Sequence, residues 1–428
     1  MSSSAKDNKV HDEEDLDEML AADDAAEEIV ENEDDDIAMD SDNEELVLQN
    51  DSIAYFDLPS DSLFAIAQHP AHPSLIAVGG SAGQEDDAPG AGWIFDASVA
   101  QSRPVLPSSF ASDPAADDAS PRTTQLESLF SLDGHSDSIN ALAWTLPQGQ
   151  VLVSGGLDGR LRAWKADVRP GQGLDVSLLG ETQEVEEINW LAACPAPSHP
   201  NTVALGASDG SVWVYTIDPT DDAAPLQIVQ SYFLHTGSCT AGAWTPDGQM
   251  LATVSEDSSL YVWDVWGLAA AQGLVGDNGM TAVSLTGSDQ RFEVEGGLYS
   301  VAIDPKGAFV AAGGAGGAIK IVSLPRLTPQ TQSQSQARGR AGAGKSASDP
   351  STGGQILASL HTQGESVETL AVSLTSTTPP TTLVAAGSVD GSIVVFDASR
   401  RFAVRRHIVG ASSLRPETPA ASVGPSDF

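Results

Sequence analysis

Gly134-His135, then Ile139-Asn-Ala-Leu-Ala-Trp144, Val151-Leu-Val-Ser-Gly-Gly-Leu-Asp158-Gly159 and Arg160-Leu-Arg-Ala-Trp164, is the stretch on which the reading of the fold turns. Its short apolar runs, joined by turns that include an Asp-Gly pair, carry the pattern of antiparallel strands. The arrangement returns at His235, with Cys239-Thr-Ala-Gly-Ala-Trp244, Thr245-Pro-Asp-Gly, Met250-Leu-Ala-Thr-Val-Ser-Glu-Asp257 and Leu260-Tyr-Val-Trp263-Asp264. Turn Asp and closing aromatic keep one spacing, 158 to 164 and 257 to 263.

Weaker copies keep that spacing. Asp209-Gly210 leads to Tyr215 and Asp390-Gly391 to Phe396-Asp397; Ala315-Gly316 leads to Ile321 and Pro89-Gly90 to Phe95-Asp96, both without the Asp. Closing positions at 95, 164, 215, 263, 321 and 396 predict an all-β chain of six four-stranded units repeated radially. The intervals exceed the roughly 40–45 residues of a bare repeat, and the longest hold polar insertions. The expected organisation is a disordered acidic tail over 1–50, the repeat domain over 51–410, disordered insertions near 100–126, 268–293 and 325–354, and a disordered C-terminal tail over 411–428.

Charge narrows the partners. The 428 residues hold 60 acids and 20 Lys and Arg, a net charge of −40. Runs such as Asp12-Glu-Glu-Asp and Glu33-Asp-Asp-Asp make the N-terminus the most acidic part, but the remainder is acidic too. Such a surface repels phosphates and argues against nucleic acid as direct ligand. Two cysteines make no disulfide framework or cysteine-rich zinc site, and both read as small core residues, in keeping with a reducing compartment. No apolar run is long enough to cross a membrane, and Met1-Ser-Ser-Ser-Ala-Lys runs straight into acids without a signal-peptide core. The expected location is the cytoplasm, with the nucleus open.

The repeat resembles that of WD-repeat β-propellers, whose two signature dipeptides match Gly134-His135 and Trp263-Asp264. The resemblance spans roughly residues 52–410 and implies a hydrogen-bonded tetrad in the two clearest copies: Asp158, His135, Ser154 and Trp164, then Asp257, His235, Thr253 and Trp263. A buried carboxylate needs donors, and a buried imidazole and indole need acceptors. Because these sets recur in register, His, Asp and Ser here form a stability device and not a catalytic triad. His69, His72 and His199 sit beside prolines, away from metal-ligand spacing, and Gly313-Gly-Ala-Gly-Gly lacks the helix a dinucleotide site needs. The chain is expected to be no enzyme and to need no cofactor or metal.

Propellers usually bind partners on the face that carries the loops before the second strand and the Asp-Gly turns. Aligned on Ile139–Trp144, that face receives Phe64, Glu186, Glu187, Trp190, Glu256, Tyr299, Glu365 and Glu368. Carboxylates beside aromatics suit an extended basic peptide, with arginines pairing to Glu and stacking on rings. The acidic start, Leu63-Phe-Ala-Ile-Ala-Gln-His-Pro70 and Glu186-Glu-Ile-Asn-Trp-Leu191 are similar to the ribosome-assembly WD-repeat proteins related to angio-associated migratory cell protein. That resemblance implies a dedicated chaperone, monomeric, that shields the basic N-terminal segment of a large-subunit ribosomal protein during 60S assembly. The alternative is an acidic scaffold subunit of a signalling or chromatin complex; a propeller hydrolase or lyase lacks its constellation here. Members of the family usually have seven or eight blades. Six repeats therefore predict either a ring latched by Ser52-Ile-Ala-Tyr-Phe-Asp57 or a truncated chain.

Overall fold

The computed structural model describes residues 53–85, 88–101, 124–169, 173–327 and 353–409. Six four-stranded antiparallel sheets follow one another along these residues, each built in chain order from its inner to its outer strand. Blade 1 is Leu63–Gln68, Leu75–Ser81, Gly90–Asp96 and Ser128–Leu132. Blade 2 is Ile139–Trp144, Val151–Gly156, Arg160–Arg169 and Gly173–Gln183; blade 3 is Ile188–Ala193, Thr202–Ala207, Val212–Ile217 and Leu226–Tyr232. Blade 4 is Cys239–Trp244, Met250–Ser255, Leu260–Asp264 and Thr281–Leu285. Blade 5 is Leu298–Ile303, Phe309–Gly314, Ala318–Ser323 and Ile356–His361, and blade 6 is Val367–Leu374, Thr382–Ser388, Ile393–Asp397 and Ala403–Ile408.

Strand position explains strand composition. The second strands of blades 2 to 5 are buried along their whole length. A sheet covered on both faces excludes water from every side chain, so those strands are continuous apolar or small runs such as Val151-Leu-Val-Ser-Gly-Gly156. Outer strands face solvent and alternate, as in Ile356–His361.

Each blade packs on the next through a separate apolar core. Ile94 and Leu132 meet Ile139, Leu142 and Trp144 between blades 1 and 2. Val153 and Ala163 meet Ile188 and Val203 between blades 2 and 3, and Val214 meets Leu251 and Trp263 between blades 3 and 4. Val254 and Val262 meet Leu298 and Val310 between blades 4 and 5, and Ile319 and Ile321 meet Val384 and Phe396 between blades 5 and 6. Each fully buried Leu, Ile or Val contributes about 1.5–3 kcal/mol. Among the described residues there is no sixth core: the inner strands of blades 6 and 1 make no contact comparable to those joining the other neighbours.

Two sequence expectations change. The segment expected as the latch, described from residue 53, does not close the ring. Ala54–Tyr55 pairs in parallel with Thr124–Gln125, and Phe56 packs tilted against Phe95 with ring centroids 4.5 Å apart, so this segment covers part of blade 1. Blade 6 takes its outer strand from Ala403–Ile408. Residues 268–293, expected as a disordered insertion, hold the short helix Leu268–Ala271, the outer strand of blade 4 and the fully buried Phe292. Phe292 and Val294 fill the core between blades 4 and 5, a role invisible in a stretch of Gly, Asp and Asn. The expected tails over 1–50 and 411–428, and most of the insertions near 100–126 and 325–354, lie outside the described residues.

Candidate functional site

One local feature recurs six times. Each inner strand carries a β-bulge at its second residue: Phe64, Asn140, Asn189, Thr240, Tyr299 and Glu368. A bulge re-aims its extra side chain and sharpens the local twist. The turn after the second strand is tied to the loop before the inner strand by one backbone bond per blade. These are Ser81 N to Ser62 O, Leu157 N to Ser138 O, Ser208 N to Glu187 O, Glu256 N to Ser238 O, Ala315 N to Gly297 O and Val389 N to Ser366 O, at 2.9–3.2 Å. Turns, loops and bulges therefore share one end of the blades, the end the sequence alignment selects.

The six bulge residues divide by use. Asn140 donates to the carbonyls of Ile188 (3.1 Å) and Asn189 (3.0 Å) in the next blade. Asn189 donates to Ser238 Oγ (2.8 Å) and Cys239 O (2.9 Å) of blade 4, and Thr240 to Leu298 O (2.7 Å) of blade 5. In blade 5 the next residue takes over, Ser300 donating to Val367 O (2.7 Å) of blade 6. The only trace of this relay in the sequence is a small polar residue at the first or second place after the apolar start of the inner strands of blades 2 to 5. In blades 2 to 4 these side chains hold neighbouring blades together. Phe64 is exposed, Tyr299 donates its hydroxyl to Gly296 O (2.6 Å) within its own loop, and Glu368 accepts from Ser366 Oγ.

Of the residues selected from sequence, Glu186, Glu187, Glu256, Glu365 and Glu368 are exposed, and none pairs with a Lys or Arg among the described residues. Glu186 and Glu187 ride on the loop over the Asp158-Gly159 turn, where a side chain at Gly159 would strike Val185 O at 2.1 Å. Glu256 lies beside Gly297 at the start of blade 5, and Glu365 and Glu368 flank the start of blade 6.

Trp190 does not stand on the open face. Its ring is wedged between blades 3 and 4, in a slot that exists because residues 206 and 242 are glycines. A Cβ on Gly206 would lie 2.2 Å from Trp190 Nε1, and one on Gly242 would lie 2.1 Å from Cη2. The indole N–H is buried there without a hydrogen-bond partner among the described residues. The other blades carry Ala65, Ala141, Ala241, Ser300 and Thr369 at this place, so Trp190 is an oversized packing residue. Its neighbour Asn189 makes the polar contact.

The tetrads brace this end from beneath. In blade 2, His135 Nδ1 meets Asp158 Oδ1 at 3.1 Å, His135 Nε2 meets Ser154 Oγ at 2.8 Å, and Trp164 Nε1 donates to Ser154 Oγ at 3.0 Å. Blade 4 repeats the design with a relay. His235 Nε2 and Trp263 Nε1 both meet Thr253 Oγ1 at 2.8 Å, but His235 Nδ1 meets Ser259 Oγ (2.6 Å), which donates on to Asp257. Burial raises the Asp257 carboxyl. The His235 ring, its Nδ1 3.9 Å from Oδ1, and hydrogen bonds from Ser259 and the Thr236 N–H outweigh that effect and leave it far below the usual carboxylate range. Asp158 is lowered by the same balance, through His135 and the N–H groups of Arg160 and Ser136.

The cysteines are free and buried, and burial pushes the Cys239 thiol up to about 12. His69 accepts from the N–H groups of Ala71 (3.2 Å) and His72 (3.1 Å), and His199 stacks flat on Trp266 with centroids 3.5 Å apart. Among the described residues no three His, Cys, Asp or Glu converge as a metal would require.

Six bulged four-stranded blades, two of them with the His, Asp, Ser or Thr and Trp network, define a WD-repeat β-propeller. The WD domain, G-beta repeat family matches residues 126–165 and 226–264. Ribosome assembly protein SQT1 of Saccharomyces cerevisiae is 32% identical over 243 residues, 55% of this chain and 47% of that protein. Human angio-associated migratory cell protein is 22% identical over 282 residues, 64% of this chain and 52% of that one. The chain thus spans about half the length of these curated relatives. The crystal structure of Chaetomium thermophilum Sqt1 bound to the N-terminus of the ribosomal protein L10 is 54% identical, with a TM-score of 0.70 over 85% of this chain and 78% of that one. The chain belongs to the Sqt1 family of WD-repeat propellers.

Proposed function

We propose that this protein is a non-catalytic chaperone that holds the basic N-terminal segment of a large-subunit ribosomal protein until it joins the 60S subunit. The observation that carries the reading is the set of five exposed, unpaired carboxylates, Glu186, Glu187, Glu256, Glu365 and Glu368, at the bulged end of the blades, with Phe64 and Tyr299 among them. Its support from outside is the relative at 54% identity that was crystallised with such a segment. A newly made ribosomal protein presents Arg and Lys that bind RNA indiscriminately. Carboxylates at this face neutralise them, aromatic rings accept guanidinium faces, and ribosomal RNA later competes the segment away. Capture takes place in the cytoplasm, where the partner is made.

The bulged end of blades 1, 5 and 6 is the part most available to side chains of the peptide. In blades 2 to 4 the bulge residues are already engaged between blades, whereas Phe64, Tyr299 and Glu368 leave theirs at the surface. The test is titration of a labelled N-terminal peptide of ribosomal protein L10 into the full chain at low and high salt. Glu187→Lys and Glu368→Lys should each weaken binding about tenfold or more at low salt, with unchanged folding, and high salt should weaken the wild type. Equal affinity in both variants, or binding indifferent to salt, overturns this placement. Capture of histones in preference to the peptide moves the reading to a scaffold.

A further inference from the structure

The polar network of blade 4 uses Trp263 and leaves its neighbour Asp264 out. Asp264 is 6% exposed. Its Oδ2 accepts from the Ala270 N–H at 2.7 Å, which holds the short helix, but its Oδ1 is buried without a hydrogen-bond partner. Among the described residues it forms no ion pair. Tyr232, 2% exposed, likewise has a buried hydroxyl with no partner. Its ring stacks on Trp263 with centroids 4.3 Å apart, beside Asp264. Burial, and then the Asp264 charge, push that hydroxyl above its ordinary pKa, so it keeps its proton.

Both residues line one cavity of about 400 Å³ between the outer strand of blade 3 and the end of the third strand of blade 4. Trp266 lines it too and is fixed twice: its Nε1 donates to Gly248 O (2.9 Å), and its ring lies flat on His199. None of the described residues that line the cavity is basic. Asp264 stands opposite Met250 in the register, at the other end of blade 4 from the Asp257 turn, so this cavity is separate from the bulged end.

A buried carboxylate oxygen and a buried hydroxyl without partners are costly unless a group from outside completes them. Water would supply hydrogen bonds but no countercharge. The group that fits carries a positive charge, several donors and a flat face that an aromatic wall accepts. A guanidinium has all three, and its weaker hydration makes it easier to bury than an ammonium. We propose that this cavity receives the guanidinium of an arginine side chain, with Asp264 Oδ1 and the Tyr232 hydroxyl oxygen accepting its N–H groups and Trp266 as its wall. The site is distinct from the acids of the bulged end and stands whether or not those acids hold a ribosomal segment.

The test is nuclear magnetic resonance of the full chain labelled with nitrogen-15 at tryptophan, titrated with N-acetylarginine amide. The Trp266 indole signal, identified by its loss in Trp266→Phe, should move and saturate. N-acetylcitrulline amide, of the same shape without the charge, should leave it still, and N-acetyllysine amide should bind about threefold more weakly. Asp264→Asn keeps an acceptor for the Ala270 N–H and should weaken binding about tenfold. Tyr232→Phe breaks no hydrogen bond within the described residues and should weaken binding about threefold. Unmoved indole signals elsewhere in each variant establish that the fold is kept. A Trp266 signal that never saturates, or that responds equally to the citrulline compound, overturns the proposal. So does undiminished binding in both variants, or tighter binding of the lysine compound.

Discussion

Blades 4 and 6 solve the same packing problem with different chemistry. Under the turn of blade 4, five polar side chains, His235, Ser259, Asp257, Thr253 and Trp263, satisfy one another in a buried chain. In blade 6, Ala386 stands where Thr253 stands and Phe396 where Trp263 stands. Gln363 replaces the histidine and donates to Ala386 O (3.3 Å) and to Ser392 O and Oγ (3.0 Å each), while its Oε1 is buried without a partner. Only the turn survives unchanged: Asp390 accepts from the N–H groups of Ser392 (2.8 Å) and Gly364 (3.1 Å). Replacing both partners of a buried hydrogen bond by apolar groups is close to neutral, whereas removing one leaves the other stranded. Blades 1, 3 and 5 took the first course, with Val78 and Phe95, Leu205 and Tyr215, and Ala312 and Ile321 at the two positions. The polar network is thus one of two stable solutions, and blade 6 is partway between them.

The contrast can be broken most forcefully at Trp263. Trp263→Ala removes the largest fully buried side chain and strands Thr253 and His235; urea unfolding should show a loss of about 3–5 kcal/mol. A loss under about 1 kcal/mol would mean that the network adds nothing to packing.

Asp257 sharpens the comparison through pH. Its folded carboxyl lies below the ordinary 3.8, so its contribution is complete above that value and is lost as pH falls through the lower folded one. Asp257→Asn should cost about 1–3 kcal/mol at pH 7 and flatten the fall in urea midpoint below about pH 4. An unaltered acid slope would remove Asp257 from the network. Asp390 is held at about 2, chiefly by Ser392, and faces solvent, so Asp390→Asn should change the acid slope less.

The smallest effect belongs to Gln363. Gln363→Leu removes a side chain that is satisfied on one atom only and completes the apolar solution; the thermal midpoint should move by no more than the equivalent of about 1 kcal/mol in either direction. A large loss would show that the carboxamide donors hold blade 6 to its turn.

Legibility followed the range of each interaction. The tetrads could be read because their members recur at fixed spacing: His135 to Trp164 and His235 to Trp263. Ser259 escaped notice because a relay between Asp and His adds no spacing of its own. The exposed acids were found where aligned loops put them, since a charged residue beside a turn has little reason to be buried. Trp190 was misplaced because alignment gives a residue its position along a strand but not its direction; the glycines that make room for it lie 16 and 52 residues away, one in the neighbouring blade. The outer strand of blade 4 was hidden by a polar connection in which the fully buried Phe292 is flanked by polar residues.

The sequence by itself determined six strand-turn-strand units, the two polar networks, an acidic surface and the end of the blades that carries the Asp-Gly turns and the exposed acids. These follow from periodicity, local turn chemistry and charge, which act over a few residues or sum over the whole chain. Tertiary structure decided which side chains lock neighbouring blades, where Trp190 goes, and that, among the described residues, five interfaces join six blades. Those outcomes depend on contacts between segments far apart in the chain. Leu63 and Ile139, or Ile393 and Ile319, look alike in their own strands and differ only in whether another blade lies on them.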